Sequence, residues 1–558
     1  MMIESGKIEN PKSFWAAEPK TLGLKATLIL MLYGFTMLGL YLGACTLSGH
    51  EAMRCEPARE MLLTGNWVIP HFNSIPAIQK PALVNWFIAA SMKIFNSEAE
   101  WVCRFPSVFV TMLTAWMVAA MGARWHGRRI GLVSGLIFIS SFYTIMQARL
   151  AEIDMILTLA VTAAIFCFIL AQEDPQKQSK VKKLLLIIGF FGSTAVAFLA
   201  KLLIGPTMIA GGVIIYILLN RKWKAILFCL NPIGWIVFLG VSLPWFIAAS
   251  NMNDDIFHRW LLENFGRFTR SHGTWGREYP LLFYFYQTPL IMMPWTLWLI
   301  GAVIYGFKRK MWRNANWNLI ACFFIAALAI LTASKWKHKH YIIPVLPPLA
   351  IPAAWYFVKN TFERIDKRQP VFFAPCILAV LSGVGIYFIW TLDVIPSDAV
   401  MPLTVLMVSV VVLFSTASIL DYYSRPNSTI IVLFAAMWFV TVFFNGFVVS
   451  RFDEYTYEAE LGKRVNAALD SDDTIYASLV GQTQIVYYLR WPIGKIGDVE
   501  TMMQMIDEDR QDKYYMVIRI SDIELFRPLG NVEILDEAEK ERSNQESSKL
   551  AFVKFEPY

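Results

Sequence analysis

The sequence predicts an α-helical polytopic membrane protein of about thirteen crossings, with interfacial helices in its first outer loop and a small α/β domain after the last span. Three observations carry this. The 558-residue chain is 56% hydrophobic and only 17% charged, whereas soluble domains are about a quarter charged. Apolar runs of spanning length recur between about residues 26 and 449. From about Ser450 the composition turns polar. Forty Phe, 21 Tyr and 20 Trp fit a membrane setting, because Trp and Tyr favour the bilayer interface. The net charge of +7 does not point to nucleic acid. Its Lys and Arg sit in short loops between apolar runs, where they set topology.

The first span is expected from Ala26 to Leu47, behind a polar stretch holding Lys7, Lys12, Lys20 and Lys25. Those lysines argue for residues 1–25 on the cytoplasmic side. The run is long enough to anchor, so no cleavable signal peptide is expected. The following stretch then lies outside. It is densely charged: His50, Glu51, Arg54, Glu56, Arg59 and Glu60, followed by Gly65-Asn66-Trp67 and Gln79-Lys80-Pro81. Pro57 suits the first turn of a short helix and Gly65 its C-terminal stop. Trp67 to Pro70 reads as extended. Leu83, Phe87, Ala90 and Ile94 recur at helical spacing, predicting a helix over 82–95 that lies along the membrane.

Further spans are expected at 105–122, 130–147, 153–171, 183–200, 202–219, 226–250, 283–307, 316–333, 341–358, 371–391, 400–420 and 429–449. Basic clusters at Arg124/Arg128/Arg129, 177–183, 221–224, 308–313 and 364–368 all fall on the side of the N-terminus, as the positive-inside rule requires. The opposite loops differ. One, 251–279, is rich in charge, aromatics and glycine. The other, Ser334 to Tyr341, is basic yet lies outside, which invites an anionic ligand. An odd span count puts residues 450–558 outside. Thr474–Ala477 and Tyr514–Ile518 read as strands there, and Val499–Ile506 as a helix. The seven Cys show no metal spacing. Cys45, Cys55 and Cys103 share one membrane side, where a disulfide would need support beyond spacing.

Several of these stretches resemble one family. They are Ala58-Arg59-Glu60-Met61-Leu62 with Gly65-Asn66-Trp67 and Pro70, then Phe72-Asn73 and Lys80-Pro81. Arg149 with Asp154, Leu243-Pro244-Trp245, Glu263-Asn264 with Arg267-Phe268, and Ser334-Lys335-Trp336-Lys337 with Tyr341 follow. The pattern is similar to the aminoarabinose transferase and protein O-mannosyltransferase superfamily of membrane glycosyltransferases, the GT-C fold. The resemblance implies residues 26–449 as the transferase domain, with its active-site motif in the outer loop 48–104, and 450–558 as a periplasmic domain. It implies a bacterial inner-membrane enzyme taking a sugar from a polyprenyl-phosphate donor, such as undecaprenyl phosphate. The acceptor would be a lipid A-like glycolipid or a protein hydroxyl.

Such a transfer needs a carboxylate near the incoming nucleophile and cations around the departing phosphate. This chain departs from the family pattern at telling places. His50 stands where the pattern has Asp, Met53 and Arg54 where it has Arg and Tyr, Gln79 where it has Glu, and Asn264 where it has His. Glu51, one residue along, is therefore read as the base, with His50 as the second catalytic candidate. Arg54, Arg59, Gln79, Lys80, Asp154, Arg267, Lys337, His338, His340 and Tyr341 are read as substrate-binding residues. No cofactor is required by the pattern. The loss of Glu at position 79 weakens the case for a divalent metal, since hard cations want oxygen anions.

Each has a plainer reading. Glu56, Arg59 and Glu60 suit a structural ion-pair set. Lys80 suits a snorkelling lysine, Asp154 a helix cap or a partner of Arg149, and the basic outer loop a lipid-headgroup binder. Lys201, between two spans, reads as an interfacial lysine. A lipid or sugar transporter, and a degenerate transferase kept as a binding subunit, are the competing functions. Against the transporter, the spans show no internal repeat and few mid-membrane ionisable groups.

Overall fold

A computed structural model describes residues 19–261 apart from 174 and 254, 279–365 apart from 335 and 336, isolated positions from 377 to 390, and 395–558 with short gaps. The first helices are α1 (Gly23–Gly39), α2 (Gly49–Thr64), α3 (Leu83–Phe95), α4 (Glu100–His126), α5 (Arg128–Ile139), α6 (Phe142–Ala148), α7 (Asp154–Gln172), α8 (Lys180–Lys201) and α9 (Ile204–Asn220). Long helices follow at Pro232–Met252, Ala315–Ala333, Leu346–Glu363, Ser397–Tyr422 and Pro426–Phe447. Every expected span other than 371–391 coincides with a helix or a bent helix pair. That span lies largely outside the described residues. Among the described residues, eight helices are long and apolar enough to cross a membrane, or up to ten with the bent pairs counted. α1 and α9 are shorter, at 17 residues each. The chain is a multi-pass membrane protein.

Two expected spans are broken. α5 and α6 meet at 63°. Ser140 and Ser141 stand at the break, and their hydroxyls donate to the carbonyls of Leu136 and Ile137, 2.6 and 2.7 Å away. Hydroxyls bonded back one turn bend helices. The helices Phe283–Ile291 and Thr296–Lys308 meet at 116°. Pro294 in that break has no N–H to continue the ladder. Elsewhere the bundle packs closely. A Cβ on Gly131 of α5 would lie 2.4 Å from the Ala119 carbonyl oxygen of α4, so only glycine allows this approach.

The first outer loop departs from expectation at its start. α2 begins at Gly49, so Pro57 lies inside the helix rather than in its first turn. The stronger start signal is a capping box. Ser48 Oγ accepts the Glu51 N–H, and the Glu51 carboxylate accepts the Ser48 N–H at 3.0 Å. The helix ends as expected at Gly65, with φ 73°. A two-stranded hairpin follows, β1 (His71–Phe72) against β2 (Ile75–Pro76). Asn73 and Ser74 turn it with positive φ. α3 is the expected apolar helix.

The polar tail holds a five-stranded sheet in the order β4-β3-β5-β7-β6. These are β3 (Ile475–Ser478), β4 (Ile493–Ile496), β5 (Tyr514–Arg519), β6 (Gly530–Glu537) and β7 (Leu550–Pro557). β3 pairs in parallel with β4 and β5, while β7 is antiparallel to β5 and β6. Both strands read from the sequence are present. The helix expected over 499–506 lies mostly outside the described residues. The tail is seated on the outer loop. Arg59 of α2 donates to the carbonyls of Tyr487 and Leu489 at 2.9 and 3.2 Å, and Tyr488 Oη accepts the Leu47 N–H at 2.8 Å.

Candidate active site

Two charged clusters lie beside one another at the outer loop. The first is built on Glu51, which is 1% exposed. Arg104, near the start of α4, grips it with Nε at 2.7 Å and Nη2 at 3.0 Å. Ser48 Oγ and the Ala151 N–H each donate to the same carboxylate at 3.0 Å. Arg104 also donates to the carbonyls of Leu42, Cys45 and Thr46 as the chain leaves α1. Burial alone would push the Glu51 carboxyl up, but Arg104 and these hydrogen bonds hold it below its usual range. The carboxylate thus joins α2, α4 and the turn before α7. Arg104 was not among the residues singled out from the sequence. Its signal was a lone arginine at the mouth of an apolar run, where a charge needs an anionic partner.

The second cluster gathers Arg54, Lys80, Glu152, Asp154, Lys201 and His340. Asp154 opens α7 and is 3% exposed. Lys201, at the end of α8, donates to it at 2.6 Å. Asp154 therefore does not pair with Arg149, whose guanidinium caps the carbonyls of Leu40 and Tyr41 at 2.9 and 2.7 Å. Nor is Lys201 an interfacial lysine, since its side chain is buried. Its ammonium lies 4.7 Å from the centre of the Tyr341 ring. His340 stacks on His338, ring centres 5.3 Å apart, and abuts Tyr341 at 4.9 Å.

Lys80 reaches this cluster from the segment after the hairpin. That segment is held by the Trp260 indole N–H on the Ile78 carbonyl at 3.1 Å and by the Ala77 N–H on Pro70 at 2.7 Å. Lys80 is half-buried and makes no direct ion pair with a described residue. Burial, and then the neighbouring Arg54 and Lys201, pull its ammonium down to about 7. Arg54 brings a buried Nε that has no hydrogen-bond partner. Glu152, half-buried in the turn between α6 and α7, lies within the field of Arg54, Lys80 and Lys201. The sequence reading passed over it. Two carboxylates within three residues ahead of an apolar run, at Glu152 and Asp154, were the available signal.

The remaining expected site residues are dispersed. Arg59 pairs with Glu56, 2.6 Å away, and donates to the Tyr487 carbonyl of the tail at 2.9 Å. The Lys337 ammonium donates to the Ser334 carbonyl at 2.7 Å and is 5% exposed. Gln79 is exposed beside Lys80, and His50 is exposed in the first turn of α2. Arg267 lies outside the described residues. The Cys45, Cys55 and Cys103 thiols are free. Among the described residues no group of three or more His, Cys, Asp or Glu is placed to hold a metal ion.

The bent spans, the seated tail and the cluster of cations can be set beside known folds. The chain covers 95% of itself and 97% of ArnT from Cupriavidus metallidurans bound to undecaprenyl phosphate, with a TM-score of 0.78 and 18% identity. It therefore has that protein's fold, the GT-C fold expected from the motifs. The family described as dolichyl-phosphate-mannose-protein mannosyltransferase matches residues 79–247. Among curated relatives, the undecaprenyl phosphate-alpha-4-amino-4-deoxy-L-arabinose arabinosyl transferase of Edwardsiella ictaluri is 27% identical over 318 residues, 56% of each chain. A protein of the same description from Proteus mirabilis is 29% identical over 321 residues, 57% of this chain and 56% of the relative. The aligned part thus spans a little over half the length of these relatives.

Proposed function

We propose that this protein is an integral membrane glycosyltransferase that moves a sugar from a polyprenyl-phosphate donor to a glycolipid acceptor, lipid A-like in kind. The observation that carries this reading is the gathering of Lys80, Arg54, Lys201 and His340 around Asp154 in one cluster. Of these, Lys80 has no direct ion pair and Arg54 has an unpartnered buried Nε. Unspent donors in a water-poor site are what a departing phosphate needs. The phosphate is already a good leaving group, so neutralising its charge matters more than protonating it. Asp154 keeps Lys201 extended toward the Tyr341 ring. The enzyme would sit in the bacterial inner membrane, with its N-terminus cytoplasmic and the sheet domain periplasmic.

Mass spectrometry of envelope lipids and glycoproteins, with and without this protein, reads the transferred sugar as a lost mass. Lys80→Ala is expected to abolish both that mass and binding of undecaprenyl phosphate by the purified chain. A Lys80→Ala variant with full binding and full product would remove the cradle assignment. A transporter predicts flux of a labelled polyprenyl-phosphate sugar across proteoliposomes with no product formed.

A further inference from the structure

We infer that Glu152 is the carboxylate that takes the proton from an acceptor hydroxyl as that oxygen bonds to the donor sugar. This rests on the transferase reading and deepens it. The two carboxylates closest to it in the chain and in the cluster, Glu51 and Asp154, are each engaged by a buried cation. Glu51 is held by Arg104 and Ala151. Asp154 is held by Lys201, and Glu56 by Arg59. Glu60 accepts the Ser74 N–H. The Glu152 side chain makes no hydrogen bond or direct ion pair with a described residue, and the residue is partly buried.

Its placement is nevertheless fixed. The preceding residue gives its N–H to Glu51 at 3.0 Å. The Glu152 carbonyl accepts the Ser107 hydroxyl at 3.4 Å, and the Glu152 N–H is bonded to Leu150 at 2.9 Å. The backbone is pinned on both sides and the carboxylate is left over. The charged groups facing it are Arg54 from α2, Lys80 from the hairpin segment, Asp154 from α7 and Lys201 from α8. Burial, helped by Asp154, raises the Glu152 carboxyl against the three cations. A carboxylate of raised basicity beside a phosphate cradle is suited to general-base work near neutral pH.

In the step, the acceptor oxygen bonds to the anomeric carbon and the bond from that carbon to the phosphate oxygen breaks. The electron pair leaves on the polyprenyl phosphate, beside Lys80 and Arg54. The hydroxyl proton passes to Glu152 and then to solvent. This assigns the acceptor chemistry as well. A phosphate acceptor carries no proton that needs a base. The acceptor group is therefore a neutral hydroxyl.

The test uses the full-length protein in a strain lacking the chromosomal copy. Glu152→Gln is expected to lower envelope product by about 100-fold or more and to retain undecaprenyl phosphate binding. Glu152→Asp is expected to recover part of the product. The wild-type product should resist mild acid, which cleaves glycosyl phosphates. Wild-type levels of product from Glu152→Gln would overturn the proposal, as would loss of undecaprenyl phosphate binding in that variant. Release of the sugar by mild acid would overturn it too. If the wild-type protein itself neither binds undecaprenyl phosphate nor alters the envelope, the transferase reading fails and takes this proposal with it. A failure of Glu152 alone instead leaves wild-type binding and product in place.

Discussion

At the scale of single residues, Lys80 is the most consequential charge in the outer cluster. Its own burial, and then two other cations, pull its ammonium down to about 7, so it is half-charged where most lysines are fully charged. Below that value the ammonium is present and favours an anion. Above it the charge is lost and the cradle weakens. Undecaprenyl phosphate binding by the purified protein is accordingly expected to fall as pH rises from 6 to 8, by about tenfold if one full charge is lost. Lys80→Arg, charged throughout, should flatten that dependence. A binding curve equally flat in wild type would show that Lys80 is not the titrating group. The phosphate itself gains charge over the same range, which works against this trend, so the comparison with Lys80→Arg is the decisive measurement.

The elements are tied together at Glu51. One carboxylate serves as the capping partner of α2, the ion-pair partner of α4 and the acceptor for the turn before α7. Removing one member of a buried pair costs about 3–5 kcal/mol because the other charge is stranded. Glu51→Gln and Arg104→Ala should therefore each lower the thermal midpoint and the yield of folded protein. A Glu51→Gln protein of unchanged stability that fails only in turnover would restore the reading of Glu51 as the base. That reading came from the sequence, where Glu51 was the acid nearest the family's missing Asp. A linear motif cannot say whether an acid faces a substrate or a buried arginine 53 residues away. Much else at this scale was legible. The apolar runs located the spans, and Gly65 located the end of α2. The breaks were not legible, because α5 and α6 together carry the hydropathy of one crossing. Nor was the start of α2, where Ser48 and Glu51 cap more strongly than Pro57 starts a helix.

At the scale of the whole molecule, the sheet domain rests on the outer loop through a few specific contacts. Arg59 reaches three carbonyls of the tail, at Val486, Tyr487 and Leu489, while paired with Glu56. The Cys103 thiol meets the Tyr487 hydroxyl at 3.2 Å, and Thr46 is bonded to Asp453. Arg59 was read as a substrate-binding residue because it sits in the shared motif. Its partners lie more than 400 residues away, beyond the reach of any local pattern. Hydrogen bonds to a charged group contribute about 1.5–3 kcal/mol. Arg59→Ala should open the seat and raise the rate of limited proteolysis near residues 450–456 by about tenfold or more. An unchanged cleavage rate would mean that the apolar contacts, such as Phe72 against the sheet core, hold the seat alone.

The Glu51 junction also has a consequence for how the chain is made. Ribosomes emit Glu51 first, Arg104 53 residues later and Ala151 a further 47 after that, 100 beyond Glu51. Through that interval an acid destined for a dry site waits without its partners. Arg104, close behind it at the start of α4, supplies its counter-charge as soon as the hairpin of the first two crossings is across. The turn bearing Glu152 can lock only after the next bent pair has been inserted. Synthesis thus closes the outer site from the N-terminal side inward, and the last part of the chain, emerging with its sheet, is added to a socket already formed.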